Sequence, residues 1–363
     1  MSQGPLLEIR HLCIRYWNGR RTVNAIDDVS FEVSPGETVG LVGESGSGKT
    51  TLANAILGLI PVESGEIRFA GQDVAHLSFK ERRAFYRQAQ IVFQDPYSSL
   101  NPVRTIGRIL AEPLEALGKT DCAAARERAR AMLVRVGLPE DAEGRYPREF
   151  SGGQRQRIAI ARALMPSPRL VVCDEATSAL DLSIQAQILN VLQDIQAGSG
   201  LSYLFVSHDL EVVKHMCNRI VVLYRGQVME SGAAASVFGT PGHPYTYALR
   251  EAAPVPNPRL QRARHLAASG STATPVEKLT PGASHCPFAP RCPYVEPRCL
   301  NERPLLQPSQ DNGQVACHRY PGWRSAEQRP TRTSDGGTSA PTAASYVPVV
   351  VPDLVPDSSA RQV

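Results

Sequence analysis

The 363-residue chain predicts an α/β fold, with a mainly parallel sheet core, a small antiparallel β subdomain, an inserted helical subdomain and a small cysteine-rich C-terminal extension. Three observations predict it. A glycine loop, Gly43-Glu44-Ser45-Gly46-Ser47-Gly48-Lys49-Thr50, stands between an apolar run, 38–42, and a helix-like run, 51–57. Two further apolar runs, 170–174 and 202–206, flank a helix-like stretch, 184–195, which is the pattern of buried parallel strands joined by a crossover helix. Residues 80–150 place Arg82, Arg83, Arg87, Arg126, Arg128, Arg130 and Arg135 among Ala and Leu at helical spacings.

Taken in order, residues 6–16 alternate apolar and polar as a half-buried strand does. A polar turn follows at Asn18-Gly19-Arg20-Arg21, and 29–33 alternate again before the turn Ser34-Pro35-Gly36-Glu37. These early strands supply the expected antiparallel sheet. Residues 220–224 and 227–230 read as a hairpin turning at Arg225-Gly226. After about residue 240 prolines become frequent, and 254–281 read as a linker. Residues 282–320 hold four cysteines, and the Ser/Thr/Pro/Gly-rich stretch from Arg324 onward reads as disordered. The expected division is 1–240, with the helical insertion at about 80–165, then the extension at 241–320 and a tail at 321–363.

Hydrophobic residues make up 42% and charged residues 20%, which is ordinary for a globular protein, and the net charge of +4 gives no strong case for a nucleic-acid partner. No apolar run approaches the roughly 20 residues that span a bilayer. The start, Met1-Ser2-Gln3-Gly4-Pro5, lacks the charged and apolar regions of a signal peptide. A cytosolic location is expected, with any membrane association made through a partner.

The glycine loop has the composition and context of a phosphate cradle. Its glycines let the backbone curl so that several N–H groups face inward, and the start of the following helix adds positive potential. Lys49 would reach the β- and γ-phosphates of a nucleoside triphosphate, and Thr50 would ligate Mg²⁺. The plain alternative is a chance glycine turn. Asp174 and Glu175 end the run 170–174. Asp174 can hold Mg²⁺ and Glu175 can act as general base on water, against the plainer reading of two helix-capping acids. His208, after 202–207, stands where a side chain can donate to a γ-phosphate, although a lone histidine at a strand end is more often structural. Gln94, after Ile91-Val92-Phe93, can touch both Mg²⁺ and the attacking water, and alone it would be uninformative. Ser151-Gly152-Gly153-Gln154 opens a helix-like run, with Ser151 as N-cap and the glycines open to phosphate. Alone, such a tetrapeptide is usually a turn.

Together and in this order, the motifs resemble the ATPase subunits of the ATP-binding cassette (ABC) transporter superfamily over roughly residues 6–240. The resemblance makes Gly43–Thr50, continued by Thr51, the Walker A motif. Gln94 becomes the Q-loop glutamine, Ser151–Gln154 the signature, and Leu170–Asp174 the Walker B strand with Glu175 as base. Ser178–Asp181 becomes the D-loop and His208 the switch histidine. Tyr16 falls at the aromatic that stacks on adenine, with Trp17 the alternative. Phe150 stands where Leu usually precedes the signature, a position expected to be a packing residue. The resemblance implies Mg²⁺-dependent ATP hydrolysis at a head-to-tail dimer, in which Ser151, Gly152 and Gly153 of one cassette close on ATP held by the other. A soluble cassette protein acting on nucleic acid or ribosomes is the alternative class. Such proteins usually carry two cassettes or a long coiled coil, and the sequence has neither.

Gln94-Asp95-Pro96-Tyr97-Ser98-Ser99-Leu100-Asn101-Pro102 and His243-Pro244-Tyr245-Thr246 resemble the dipeptide/oligopeptide (and nickel) importer branch. That branch implies a second, paralogous ATPase subunit, two transmembrane permease subunits and an extracytoplasmic solute-binding protein, with the chain at the cytoplasmic face of the membrane. The solute, a peptide or alternatively nickel, is chosen by those partners. Cys13, Cys122, Cys173 and Cys217 are scattered and read as small buried hydrophobes. Cys286, Cys292, Cys299 and Cys317 cluster with five, six and seventeen residues between them. In a reducing compartment such a cluster reads as a metal site rather than as disulfides. Four thiolates suit [4Fe–4S] or Zn²⁺, and the lack of Cys-x₂₋₄-Cys pairs favours [4Fe–4S], with Zn²⁺ as the alternative and free thiols as the plain reading. His285 and His318 flank the cluster and are expected beside the thiols or in solvent.

Overall fold

The computed structural model describes residues 4–17, 22–118, 121–178, 180–253 and 284–324. The expected turn at 18–21, the linker at 254–281 and the tail beyond Arg324 lie outside the described residues, as does the Cys122 side chain. Residues up to Arg324 belong to one compact unit.

Strands β1 (Leu7–Trp17), β2 (Thr22–Val33), β4 (Ser64–Phe69) and β5 (Gln72–Asp73) form an antiparallel sheet in the order β2-β1-β4-β5. The alternation read at 6–16 is its cause: Leu7, Ile9, Leu12 and Ile14 are buried, and the residues between them face outward or are half-buried. The central sheet runs parallel through β9 (Arg219–Tyr224), β3 (Thr38–Val42), β8 (Ser202–Ser207), β7 (Leu170–Asp174) and β6 (Ala89–Val92), in that order. Its middle strands are buried on both faces, which is why they read as unbroken apolar runs. Successive residues still part company. Val171, Cys173, Tyr203 and Phe205 join the core under the helices, while Leu170, Val172, Leu204 and Val206 join the core beneath the antiparallel sheet.

The helices of the front half are α1 (Lys49–Ile56), α2 (Phe79–Gln88), α3 (Pro96–Ser99), α4 (Ile106–Ala116) and α5 (Cys122–Arg135). Those that follow are α6 (Gly152–Leu164), α7 (Leu182–Ser199) and α8 (Leu210–Met216). The stretch expected to be helical from 80 contains β6, whose four residues pair with β7 from Ala89↔Leu170 to Val92↔Cys173. A strand this short is outweighed in the sequence by the helical spacing around it. The helical subdomain proper therefore begins after Gln94. Its interior is Ile106, Ile109, Leu110, Ala129, Leu133, Phe150 and Ile158. The larger apolar side chains among these each contribute about 1.5–3 kcal/mol by burial. Phe150 is buried there as a packing residue.

The C-terminal extension grows out of the central sheet. Strand β10 (Gln227–Ala233) pairs antiparallel with β9, and the short strands β12 (Gln314–Val315) and β11 (Gln307–Pro308) continue the sheet beyond it. Helix α9 (Ala234–Gly239) and helix α10 (Pro244–Ala252) follow β10, and α11 (Pro297–Asn301) lies among the cysteines.

Candidate nucleotide site

Strand β3 delivers the glycine loop to the edge of the core. A Cβ at Gly43 would stand 2.2 Å from the Leu223 carbonyl oxygen, and one at Gly48 would stand 2.6 Å from that of Ala25, so neither position admits a side chain. Gly48 also takes φ 103° as the cap of α1, a left-handed backbone that favours glycine. The first amides of α1 thus open onto the loop. Ser45 and Gly46 are exposed, Thr51 is half-buried, and Ser47 is buried with its N–H donating to the Glu44 carbonyl at 3.2 Å. Lys49 is buried, and its Nζ donates to the carbonyls of Gly43 (2.8 Å) and Glu44 (2.9 Å). Burial pushes its pKa down, opposed by the carboxylates of Glu175, Asp174 and Glu44.

The end of β7 carries the acidic half of the site. The Thr50 hydroxyl donates to Asp174 Oδ1 at 3.3 Å. Burial pushes the buried Asp174 carboxyl above the usual range, helped by the Glu175 charge and opposed by Thr50 and Lys49. Glu175 sits at φ 48°, a left-handed conformation that costs a side-chain-bearing residue of order 1 kcal/mol. Its N–H donates to the Val206 carbonyl at 3.0 Å, which fixes the bend. The bend turns Glu175 to pair with His208 Nδ1 at 3.2 Å. Gln94 Nε2 donates to Ser178 Oγ at 3.3 Å, and that hydroxyl donates to the Glu175 carbonyl at 3.0 Å. Gln94, Ser178, Glu175 and His208 therefore form one chain of contacts beside Asp174, Thr50 and Lys49.

Other expected residues lie apart from this group. Ser151 caps α6 in a reciprocal box with Gln154: each N–H meets the other's side-chain oxygen, at 3.0 and 3.4 Å. Gly152 lies beside Tyr97 and Leu180, and Gly153 lies against Ile184 of α7. Asp181 is exposed at the start of α7, and its side chain makes no cap bond. Tyr16 is partly exposed near the end of β1, opposite Val23. Ala179, within the D-loop stretch, lies outside the described residues.

The extension reaches the loop through two residues to which the sequence gives no role there: Arg291, and Tyr245 of the branch motif 243–246. Arg291 makes a two-pronged pair with the Glu44 carboxylate, at 2.7 and 2.9 Å, and the Tyr245 hydroxyl accepts the Glu44 N–H at 2.9 Å. An arginine between two cysteines carries no pattern that would reveal this. Around it Tyr224, Tyr245, His243 and Phe288 form a buried aromatic nest with ring centroids 4.6–5.9 Å apart. His243 Nδ1 accepts the Tyr245 N–H at 2.9 Å, and burial pushes its pKa down to about 3.

Cys286, Cys292, Cys299 and Cys317 line one cavity of about 20 Å³, together with His243, Tyr294 and His318. None of the four is in a disulfide. Burial pushes the thiols of Cys286 and Cys317 up to about 11 and that of Cys292 up to about 12. Among the described residues, no three His, Cys, Asp or Glu side chains are grouped so as to hold a metal ion. His285 is buried, and a ring nitrogen of His318 lies 3.0 Å from the Glu302 carbonyl. Of the scattered cysteines, Cys173 and Cys217 are buried as expected, whereas Cys13, within β1 opposite Ser64, is only half-buried.

Comparisons with known proteins agree with this geometry. Residues 26–178 match the family model described as ABC transporter, and 229–299 match that of the oligopeptide/dipeptide transporter C-terminal region. A putative peptide import ATP-binding protein of Brucella ovis is 46% identical over 319 residues, covering 88% of this chain and 99% of that protein. The oligopeptide transport ATP-binding protein OppF of Salmonella typhimurium is 45% identical, covering 81% and 87%. A dimeric ATP-binding cassette in a post-hydrolysis state, bound to ADP and Pi, superposes with a TM-score of 0.58 at 29% identity, covering 63% of this chain and 98% of that one. A Clostridium perfringens cassette from an ABC transporter complex gives 0.59 at 26%, covering 73% and 99%. The chain belongs to the ATP-binding subunits of the ABC transporter family, in the oligopeptide/dipeptide transporter branch.

Proposed function

We propose that the chain is the ATP-hydrolysing subunit of an importer for di- and oligopeptides. The observation that carries this reading is the convergence at the end of β7, where Asp174 meets Thr50 and Glu175 meets His208 beside the Lys49 loop. Lys49 and the loop amides from Ser45 to Thr51 bind the β- and γ-phosphates. Glu175, held by its bent backbone, takes the proton from the attacking water, and His208 steadies that carboxylate and reports the γ-phosphate. Gln94 links the site to the helical subdomain through Ser178. Thr50, Asp174 and Gln94 present oxygen donors suited to Mg²⁺, which supplies charge neutralisation on the phosphates. Tyr16 stacks on adenine. Ser151, Gly152, Gly153, Gln154 and Asp181 face the nucleotide of a second, paralogous ATPase subunit.

No described helix is long and apolar enough to cross a membrane. In the proposed assembly the chain sits at the cytoplasmic face under two permease subunits, fed by an extracytoplasmic solute-binding protein. A groove of about 590 Å³ supports this, lined by Leu59, Phe79, Tyr86, Phe93, Ala116 and Leu117 between α2 and α4. Phe79, 89% exposed, marks it as a surface for an apolar partner helix from the permease. The named activities of the bacterial relatives support peptides as the solute. For the extension we propose a [4Fe–4S] cluster on Cys286, Cys292, Cys299 and Cys317, with Zn²⁺ as the alternative. The lining of one cavity by all four thiols supports this reading; binding would require them to draw closer together than they stand here and to be held as thiolates despite their burial.

Purified with its permeases, the complex is expected to hydrolyse ATP faster when a peptide-loaded binding protein is added. Stimulation by nickel-loaded protein alone would contradict the solute class. The same preparation should contain iron and absorb near about 400 nm, and zinc without iron would overturn the cluster.

A further inference from the structure

We propose that Arg291 and Tyr245 are positioning residues of the nucleotide site: the cysteine extension braces the phosphate loop from behind through Glu44, and this brace sets the affinity for ATP. The inference rests on the reading of 43–50 as the ATP loop.

Glu44 is engaged by all its polar groups. Its carbonyl accepts from Lys49 Nζ at 2.9 Å, its N–H donates to Tyr245 at 2.9 Å, and its carboxylate accepts both prongs of Arg291 at 2.7 and 2.9 Å. Its neighbour Gly43 is already pressed on the Leu223 carbonyl. The first two residues of the loop are thus fixed by β9 and the extension, while Ser45 and Gly46 remain exposed on the phosphate side. Because Lys49 Nζ binds the carbonyls of these same two residues, moving Glu44 moves the anchor of the phosphate-binding ammonium.

An exposed ion pair is worth little by itself, since two long side chains must be ordered to make it. Here the arginine is ordered beforehand. Its guanidinium stands 5.8 Å from the Tyr224 ring centroid and 5.7 Å from that of Phe288, and it donates to the Tyr224 hydroxyl at 3.4 Å. Both rings are buried. The backbone turn is fixed too: the Cys286 N–H donates to the Cys299 carbonyl at 2.9 Å, the Arg291 N–H to Phe288 at 2.9 Å and the Cys292 N–H to Ala289 at 3.2 Å. Arg291 is the residue before Cys292, so the backbone turn that brings this thiol to the cavity also places the guanidinium. The paired fork fits a carboxylate in a way that a lysine would not reproduce.

The test is a double-mutant cycle on Arg291→Ala and Glu44→Ala in the full chain, reading the Kd of Mg·ATP by equilibrium binding and the KM and kcat of hydrolysis in the assembled complex. Each single variant is expected to bind ATP about fivefold more weakly, and Arg291→Ala, which lies outside the loop, to raise KM with kcat at saturating ATP little changed. The double variant should be no weaker than either single one. Arg291→Lys should fail to restore affinity, and Tyr245→Phe should move Kd in the same direction. Native Kd in both single variants, or effects that multiply in the double variant, would overturn the brace while leaving the ATP site standing. Failure of the native chain to bind Mg·ATP at all would overturn the nucleotide reading, and the brace with it.

Discussion

The nucleotide site and the cysteine extension meet at Glu44, yet their contacts differ in tightness. The nucleotide site gathers short stretches far apart in the chain, and the contacts between its side chains are loose: 3.3 Å for Thr50 to Asp174, 3.2 Å for His208 to Glu175 and 3.3 Å for Gln94 to Ser178. The extension also joins distant stretches but is closely bonded, from the Arg291–Glu44 fork at 2.7 Å to the Trp323 Nε1 donating to Gly242 at 2.6 Å. Groups that must grip a substrate and then release it sit on loops and strand ends. Groups that hold those loops in place sit in a packed aromatic nest.

The largest effect that would break this contrast comes from the nest. Phe288→Ala should destabilise the extension by about 3–5 kcal/mol and weaken ATP binding with it, as hydrogen exchange of 284–324 and nucleotide titration will show. An extension that loosens while ATP affinity stays native would separate the two regions. Lys49→Ala acts from the other side. Removing a charged donor to phosphate should weaken Mg·ATP about tenfold to a hundredfold, and exchange in the extension should be unchanged.

Acid should also distinguish the regions. His243 is buried and its pKa is pushed down to about 3, well below the ordinary imidazole. A depressed folded-state pKa means that its contribution is fully present above about pH 6.5 and is lost as pH falls towards 3. The loss approaches about 1.4 kcal/mol per pH unit in that window. Unfolding of the extension, followed between pH 7 and 4, should steepen accordingly, and His243→Asn should flatten the profile.

The smallest effect on stability concerns Asp174, whose folded pKa is raised by burial. A raised pKa means that the protonated side chain is preferred by the fold, so stability is lost as pH rises and the charge opposes folding at neutral pH. Asp174→Asn should leave the melting temperature unchanged or a few degrees higher while abolishing Mg²⁺-dependent turnover. A marked drop in melting temperature would make Asp174 a structural residue.

Legibility in the sequence followed chemistry rather than importance. The meeting of Thr50 with Asp174 at adjoining strand ends was expected because a phosphate cradle and paired carboxylates need those residue types there, and that of Glu175 with His208 was expected from the order of the motifs. The parallel core was readable because burial on both faces leaves unbroken apolar runs. Strand β6 was hidden by its four-residue length amid helical spacing. Arg291 and Tyr245 were hidden because a brace needs only one long cation and one phenol in the right place, and that placement is made by the aromatic nest. The left-handed Glu175 was hidden too, since its bend is imposed by the hydrogen bond to Val206.

The central claim, that Glu175 activates water on ATP held by the Lys49 loop, is most directly tested by Glu175→Gln in the assembled complex. We predict that Mg·ATP binds with a Kd within about twofold of the native value while kcat falls by about 10²–10⁴. Undiminished steady-state hydrolysis would contradict the assignment of the base.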